Sequence, residues 1–285
     1  MAMTSTKKIV ITLLFLPLII SIIYSAIPIQ IQQGNFNTTH QVKFMTYNLH
    51  FGVGMDDQLN LERLVQNILV ENPDIIGLQE VENGRITTQG IDMAGWLARQ
   101  LGMYCYYYPA INEHAFGCAL LSRYPIINTS SYQLPTIVWN RVLIRGTIRL
   151  NSTFLIDVFV THLGLEEDNR TAQVEYILSK TDQITRPKVL MGDFNLENDT
   201  PEIGNITLKF TDTASAFNPS NPGNTFDSWN VLTGASQPYE RIDFIFATDF
   251  NSIINSTVVT DMLPGVTAAW EYGSDHLPVV TTLQY

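Results

Sequence analysis

Six runs of apolar residues in this chain carry at one end a group that can hold a cation or move a proton. Asn48 closes FMTYN, Glu80 sits in IIGLQEV and His162 in FVTHLG. Asp193 and Asn195 lie in VLMGDFN, Asp243 in RIDFIF, and Asp275 with His276 in SDHLPV. An apolar run ending on such a group reads as a strand that delivers it to one rim, provided the strands share a sheet. Acids and amides are oxygen donors for hard cations, and an imidazole beside a carboxylate transfers protons. Each residue also has a plain structural reading. Asn48 fits a turn, Glu80 and Asp193 fit caps, His162 fits a satisfied interior histidine, and Asp243 beside Arg241 fits a surface pair. Recurrence at six strand ends is what favours chemistry.

The elements that must position these groups alternate along the chain. Lys43–Leu49 reads as a strand, and Leu61, Leu64, Val65, Ile68 and Leu69 then repeat at helical spacing until Pro73. Asp74–Val81 reads as a buried strand and Ile91–Leu101 as a helix stopped by Gly102. Strands follow at Tyr104–Tyr108, Phe116–Ser122, Val142–Leu150 and Phe154–Leu163, then a helix carrying Val174, Ile177 and Leu178. The last strands are Lys188–Asp193, Ile242–Ala247, Thr257–Thr260 and Val279–Leu283. Mixed strands with interspersed helices point to an α/β fold of packed sheets with helices outside.

Composition narrows the function classes. An apolar content of 45% excludes a disordered chain. A net charge of −11, with six lysines and no basic run, argues against a broad nucleic-acid surface, which needs clustered Lys and Arg. Lys7 and Lys8 precede an uncharged apolar run, Ile9–Ile29, long enough to span a bilayer as a helix. Residues 1–26 therefore read as a signal peptide or N-terminal membrane anchor, 27–40 as a linker and 41–285 as one domain. The positive-inside rule then makes the protein secreted or membrane-anchored, with that domain extracytoplasmic. Asn-X-Ser/Thr acceptors at Asn37, Asn128, Asn151, Asn169, Asn198, Asn205 and Asn255 exceed chance and suit a glycoprotein. Cys105 and Cys118 are too few for a disulfide scaffold. Pairing about a turn near Ile111–Asn112 would set them opposite one another, although two buried free thiols are the preferred reading.

The order YNL, QE, TH, GDFN, RIDFIF and SDH, over about residues 42–285, resembles the endonuclease/exonuclease/phosphatase superfamily. The resemblance implies the DNase I-like fold, a four-layered α/β sandwich of two packed mixed β-sheets flanked by helices. It implies hydrolysis of phosphodiester or phosphomonoester bonds with Mg²⁺, Mn²⁺ being a substitute. Glu80 would be the principal metal ligand, with Asn48 beside it and Asp275 as a further ligand. His276 would be the general base, oriented by Asp243. Asp193 and Asn195 would position the water or a phosphate oxygen, and His162 would donate to the developing charge.

Residues 80–135 carry a closer resemblance, in EVENGRITTQGIDMAGWLARQLGMY, FGCALLSRYPI and Leu134–Pro135. It is to the luminal nuclease-like domain of membrane proteins that remodel GPI-anchor lipids, whose multi-span region is not part of the resemblance. The sphingomyelinase-like branch shares the TH, GDFN and SDH wording. A phosphodiester of a phospholipid or GPI-type headgroup is the expected substrate, an extracellular nuclease the alternative, and an inactive phosphate-binding module a third reading. Some nucleases of the superfamily place an arginine two positions after the metal glutamate. Here that residue is Glu82, and the nearest base is Arg85. Arg123, Arg141 and Arg145 are candidates for a local anion clamp. Tyr106–Tyr108, Trp139, Trp229, Trp270 and Tyr272 are candidate bilayer contacts. A monomer is expected.

Overall fold

Strand β1 (Gln41–Asn48) alternates between two buried sides, Val42 and Phe44 facing one core and Met45 and Tyr47 another. Burial on both faces belongs to the middle of a covered sheet. The computed structural model, which describes residues 40–54, 56–111, 116–136, 139–226, 240–260 and 273–285, places it there. β1 runs parallel to β2 (Ile75–Glu82) and antiparallel to β12 (Val279–Gln284). With β3 (Tyr104–Pro109), β4 (Phe116–Ser122) and β11 (Ser252–Val258) the order is β11-β12-β1-β2-β4-β3.

The second sheet is built the same way. It comprises β5 (Ile126–Gln133), β6 (Val142–Arg149), β7 (Leu155–His162), β8 (Lys188–Asp193), β9 (Thr211–Asp212) and β10 (Asp243–Thr248). The order is β5-β6-β7-β8-β10-β9. Each sheet has one parallel pair at its centre, β1–β2 and β7–β8, flanked by antiparallel neighbours. These four central strands carry Asn48, Glu80, His162 and Asp193.

The sheets face each other across a core that includes Phe44, Leu120, Ile144, Val160, Met191 and Ile245. Glycine lets them approach. A Cβ at Gly77 would lie 2.9 Å from the Met191 side chain, and one at Gly146 would lie 2.3 Å from Leu120. Helices Leu61–Glu71 and Met93–Leu101 cover the outer face of the first sheet. Helices Glu167–Thr181 and Pro201–Thr207 cover the second, which completes the expected four layers. Local chemistry sets the helix ends. Asn60 and Asp92 accept from the backbone N–H of Arg63 and Gly95, and left-handed Asn72 and Gly102 end the two helices.

Three expectations need correction. Strand β5 was not foreseen, because its sequence IINTSSYQ is a half-exposed edge without apolar alternation. The strand expected at Thr257–Thr260 is Ser252–Val258, which is polar enough to hide the true pairing with β12. The cysteines do not face one another. The register opposes Cys118 to Tyr108 and Cys105 to Leu121, so Cys105 lies an odd three residues from the position facing Cys118. The two thiols therefore point to opposite faces, both free, Cys118 buried and Cys105 exposed. Tyr106–Tyr108, offered as bilayer contacts, lie in the expected strand β3 and pack against the two cores. The N-terminal segment, most of the linker, Asn37, Asn112, Trp229, Trp270 and Tyr272 fall outside the described residues. Among those described, no helix is long and apolar enough to cross a membrane.

Candidate active site

Three of the expected groups form one rung. The register of the second sheet sets His162 beside Asp193 and Asp193 beside Asp243. Gly192 makes the rung possible, since a Cβ there would lie 2.0 Å from the Thr161 carbonyl oxygen. The start of β10 is held by Thr225, whose hydroxyl accepts from the N–H groups of Ile242 and Asp243 at 3.3 and 3.2 Å. The Thr225 carbonyl accepts from Leu277 N–H at 2.7 Å. Phe226 then bridges to both Glu240 and His276, and its ring packs on the imidazole at 4.7 Å. Thr225 and Phe226 thus tie the Asp243 strand to the SDH segment.

The two histidines are held in different states. His276 Nδ1 lies 2.8 Å from Asp243 Oδ2 and donates to it. Its Nε2 faces the Asn48 amide N–H at 3.4 Å, Asp193 at 3.7 Å and Asp275 at 3.9 Å. Burial alone would lower the His276 pKa, but the charges of Asp243, Asp193 and Asp275 and the Asp243 hydrogen bond raise it to about 10. His162 Nδ1 accepts from Arg141 Nη1 at 3.3 Å. A guanidinium has only donors, so the His162 proton sits on Nε2, 3.4 Å from Asp193 Oδ2. Burial, with Arg141 and His276 nearby, drops its pKa to about 3 and keeps it neutral.

Asn48 joins the two sheets. Its amide donates to Asp193 Oδ2 at 2.9 Å, its oxygen accepts from His50 N–H at 3.0 Å, and its carbonyl accepts from Ser274 Oγ at 2.7 Å. Glu80 sits at a register break between Leu78 and Val81, with φ of 54°. Such a bulge re-aims a side chain away from the ordinary alternation. Burial, then Asp275 and Asp193, raise the Glu80 pKa, which places its carboxylate in the same group of acids. Asn195, also left-handed with φ of 50°, donates its N–H to Asp193 Oδ1 and its amide to the Leu163 carbonyl, at 2.9 and 3.0 Å.

The donor set suits a divalent ion. Glu80, Asp275, Asp193 and Asn48 offer hard oxygens, and after burial the Asp275 and Asp193 charges help raise the Glu80 pKa. Donor atoms of Asp193, Asp243 and His276 lie within 4.8 Å of one another. Asp243 Oδ1 is buried without a hydrogen-bond partner among the described residues. The residues therefore fit the implied metal.

All eight expected residues meet at this end of the sandwich. Asp243 does not pair with Arg241, which instead grips Asp212 at 2.6 and 2.8 Å. Of the three clamp arginines, only Arg141 reaches the site. Arg123 hydrogen-bonds Asn72, and Arg145 pairs with buried Asp157 at 2.8 Å. Thr225, Phe226, Ser274 and His50 were not singled out from the sequence. Ser274 precedes Asp275–His276 and Thr225 precedes an aromatic, but neither pattern is distinctive alone.

Residues 39–210 match the family model described as PGAP2IP, C-terminal nuclease-like domain. Protein cwh43 of Schizosaccharomyces pombe is 30% identical over 149 residues, covering 51% of this chain and 15% of that protein. Nocturnin of Rattus norvegicus is 25% identical over 252 residues, covering 78% of this chain and 57% of that protein. The chain thus spans less than two thirds of either relative. A solved endonuclease/exonuclease/phosphatase from Beutenbergia cavernae superposes with a TM-score of 0.68 at 22% identity. That match covers 86% of this chain and 72% of the other, a likeness of fold.

Proposed function

Because the chain belongs to the family of PGAP2IP C-terminal nuclease-like domains, within a superfamily whose members generally hydrolyse phosphoester bonds with a divalent metal, we propose that it is a Mg²⁺-dependent phosphodiesterase. The substrate is the phosphodiester of a phospholipid or GPI-type headgroup, cleaved by in-line attack of water. The observation that carries this reading is the buried Asp243–His276 pair, facing a set of carboxylates across Asn48.

A cation held among the acids would offset the Asp193 and Asp275 charges that raise the His276 pKa. Nε2 of the neutral ring then takes the proton of the attacking water, while Nδ1–H remains on Asp243, which fixes the ring and stabilises the charged form that results. Asp193, held by Asn48, lines the other side of that water. The His162 Nε2–H donates to charge developing on the phosphate, and Arg141 behind it adds positive charge. Glu80, Asn48 and Asp275 would hold the cation, which supplies charge neutralisation at the phosphate and the leaving oxygen.

A compact headgroup suits this surface better than a polynucleotide. Glu82 is buried and accepts from Arg85, Thr87 and Thr88 at 2.9, 2.8 and 3.0 Å, so neither it nor Arg85 offers a free backbone clamp. The same reading has the domain outside the cytoplasm, tethered or released through residues 1–26. The apolar run behind two lysines supports this, as do exposed acceptors at Asn128, Asn198 and Asn205, whereas Asn169 is buried. The test is the purified chain with Mg²⁺ against sphingomyelin, a phosphoinositide and plasmid DNA. Lipid hydrolysis with intact plasmid is expected. Plasmid nicking without lipid hydrolysis would indicate a nuclease, and no hydrolysis would indicate a binding module.

A further inference from the structure

Three large apolar side chains stand in solvent at the end of the sandwich that carries the site. Ile86 is 97% exposed, Leu165 64% and Trp139 59%. Each lies on a different connection: two leave strands that carry site residues, and the third enters β6, whose start pairs with the His162 end of β7. Ile86 follows β2 and Glu80, Trp139 stands two residues before Arg141, and Leu165 comes three residues after His162.

Hydrogen bonds hold the described parts of these connections. The Glu82 carboxylate takes hydrogen bonds from Arg85, Thr87 and Thr88, which encloses Ile86 in a short helical turn. Gln173, fully buried, accepts from Gly164 N–H and donates to the Pro135 carbonyl, both at 2.9 Å. That one side chain ties the Leu165 connection to the one bearing Trp139. Thr136 Oγ1 donates to the Trp139 carbonyl at 2.7 Å. A single exposed apolar side chain is ordinary, so what matters is that three of them stand on held connections at the one end of the sandwich that carries the site.

Resting on the phosphodiesterase reading above, we propose that Ile86, Trp139 and Leu165 form an interfacial docking rim that seats the cleft on a zwitterionic lipid surface. The strand directions set all three at the end of the sandwich where the cleft opens, so an occupant of the rim faces the cleft. A protein there would shut out substrate, whereas a lipid surface brings its headgroups to Glu80 and His276. Charge selects the kind of surface. Glu166, Glu167 and Asp168 follow Leu165 directly, and the chain carries a net charge of −11, so an anionic bilayer would repel the rim. Apolar insertion into an uncharged interface is the remaining source of attraction.

The experiment compares the full chain with the Ile86→Ser, Trp139→Ser, Leu165→Ser triple variant, with Mg²⁺. Substrates are phosphatidylcholine–sphingomyelin vesicles and, separately, soluble bis(p-nitrophenyl) phosphate. The variant should lose roughly tenfold or more on vesicles and nothing on the soluble diester. Equal activity on vesicles would overturn the docking rim, as would an equal loss on both substrates. Hydrolysis of neither substrate by the unaltered chain would sink the phosphodiesterase reading instead. Docking is then decided separately, by quenching of tryptophan emission with brominated phosphatidylcholine vesicles. Quenching should drop in Trp139→Phe. Identical quenching in the two proteins would show that Trp139 stays out of the lipid, or that a protein is its partner.

Discussion

At His276 the two ring nitrogens are made unequal by their neighbours. Nδ1 is bound to Asp243, whereas Nε2 looks toward the Asn48 amide and two acids. Asp243→Asn removes the negative charge and can turn an amide N–H toward Nδ1, which favours the wrong tautomer of His276. Turnover of a soluble diester should fall by on the order of 10²–10⁴-fold with KM little changed, as steady-state kinetics would show. A second buried pair has a structural consequence. Burial would raise the Asp212 pKa, but the Arg241 guanidinium outweighs it and holds the carboxyl below 3.8. In the unfolded chain Asp212 titrates near 3.8, so the stabilisation is complete above that pH and is lost as pH falls through the lower native value. Asp212→Asn should cost about 3 kcal/mol near pH 6 in denaturant titrations, and the gap should narrow below pH 4.

At the scale of elements, strand ends do the positioning. A methyl at Gly192 would meet the Thr161 carbonyl, so Gly192→Ala should force β7 from β8. A loss of about 2–3 kcal/mol in thermal or denaturant unfolding is expected, with activity lost as the His162–Asp193 register slips. Thr225→Val leaves two backbone N–H groups without their acceptor, at about 1–3 kcal/mol. Thr225→Ser should restore turnover, and failure of that rescue would assign Thr225 to packing alone. The same strand ends explain what could be read from sequence. Asn48, Glu80, His162, Asp193 and Asn195 lie at or just past the close of an apolar run, Asp243, Asp275 and His276 at the opening of one, and such a run is the signal of a covered strand. β5 gave no such signal because an edge strand tolerates IINTSSYQ. Thr225 and Ser274 were invisible because their hydroxyls bind backbone atoms whose positions depend on tertiary pairing. The cysteine register failed for a related reason: a shift in the centre of the hairpin changes which face a residue meets.

At the scale of the molecule, two sheets with the same pairing scheme each contribute half of the site. Asn48 and Glu80 come from one, and His162, Asp193 and Asp243 from the other. An overall charge of −11 that disfavours polynucleotides is locally what a cation site requires. Mg²⁺ should therefore raise the thermal midpoint in a concentration-dependent way, by mass action on the folded form, and Glu80→Gln should abolish most of that rise. The central claim is a metal-dependent phosphodiesterase whose base is His276. It is tested most directly by soluble-diester hydrolysis with and without Mg²⁺, for the unaltered chain and for His276→Ala of unchanged circular dichroism. The account predicts Mg²⁺-dependent turnover that falls by at least about 10²-fold in the variant. Turnover in His276→Ala equal to that of the unaltered chain would contradict it.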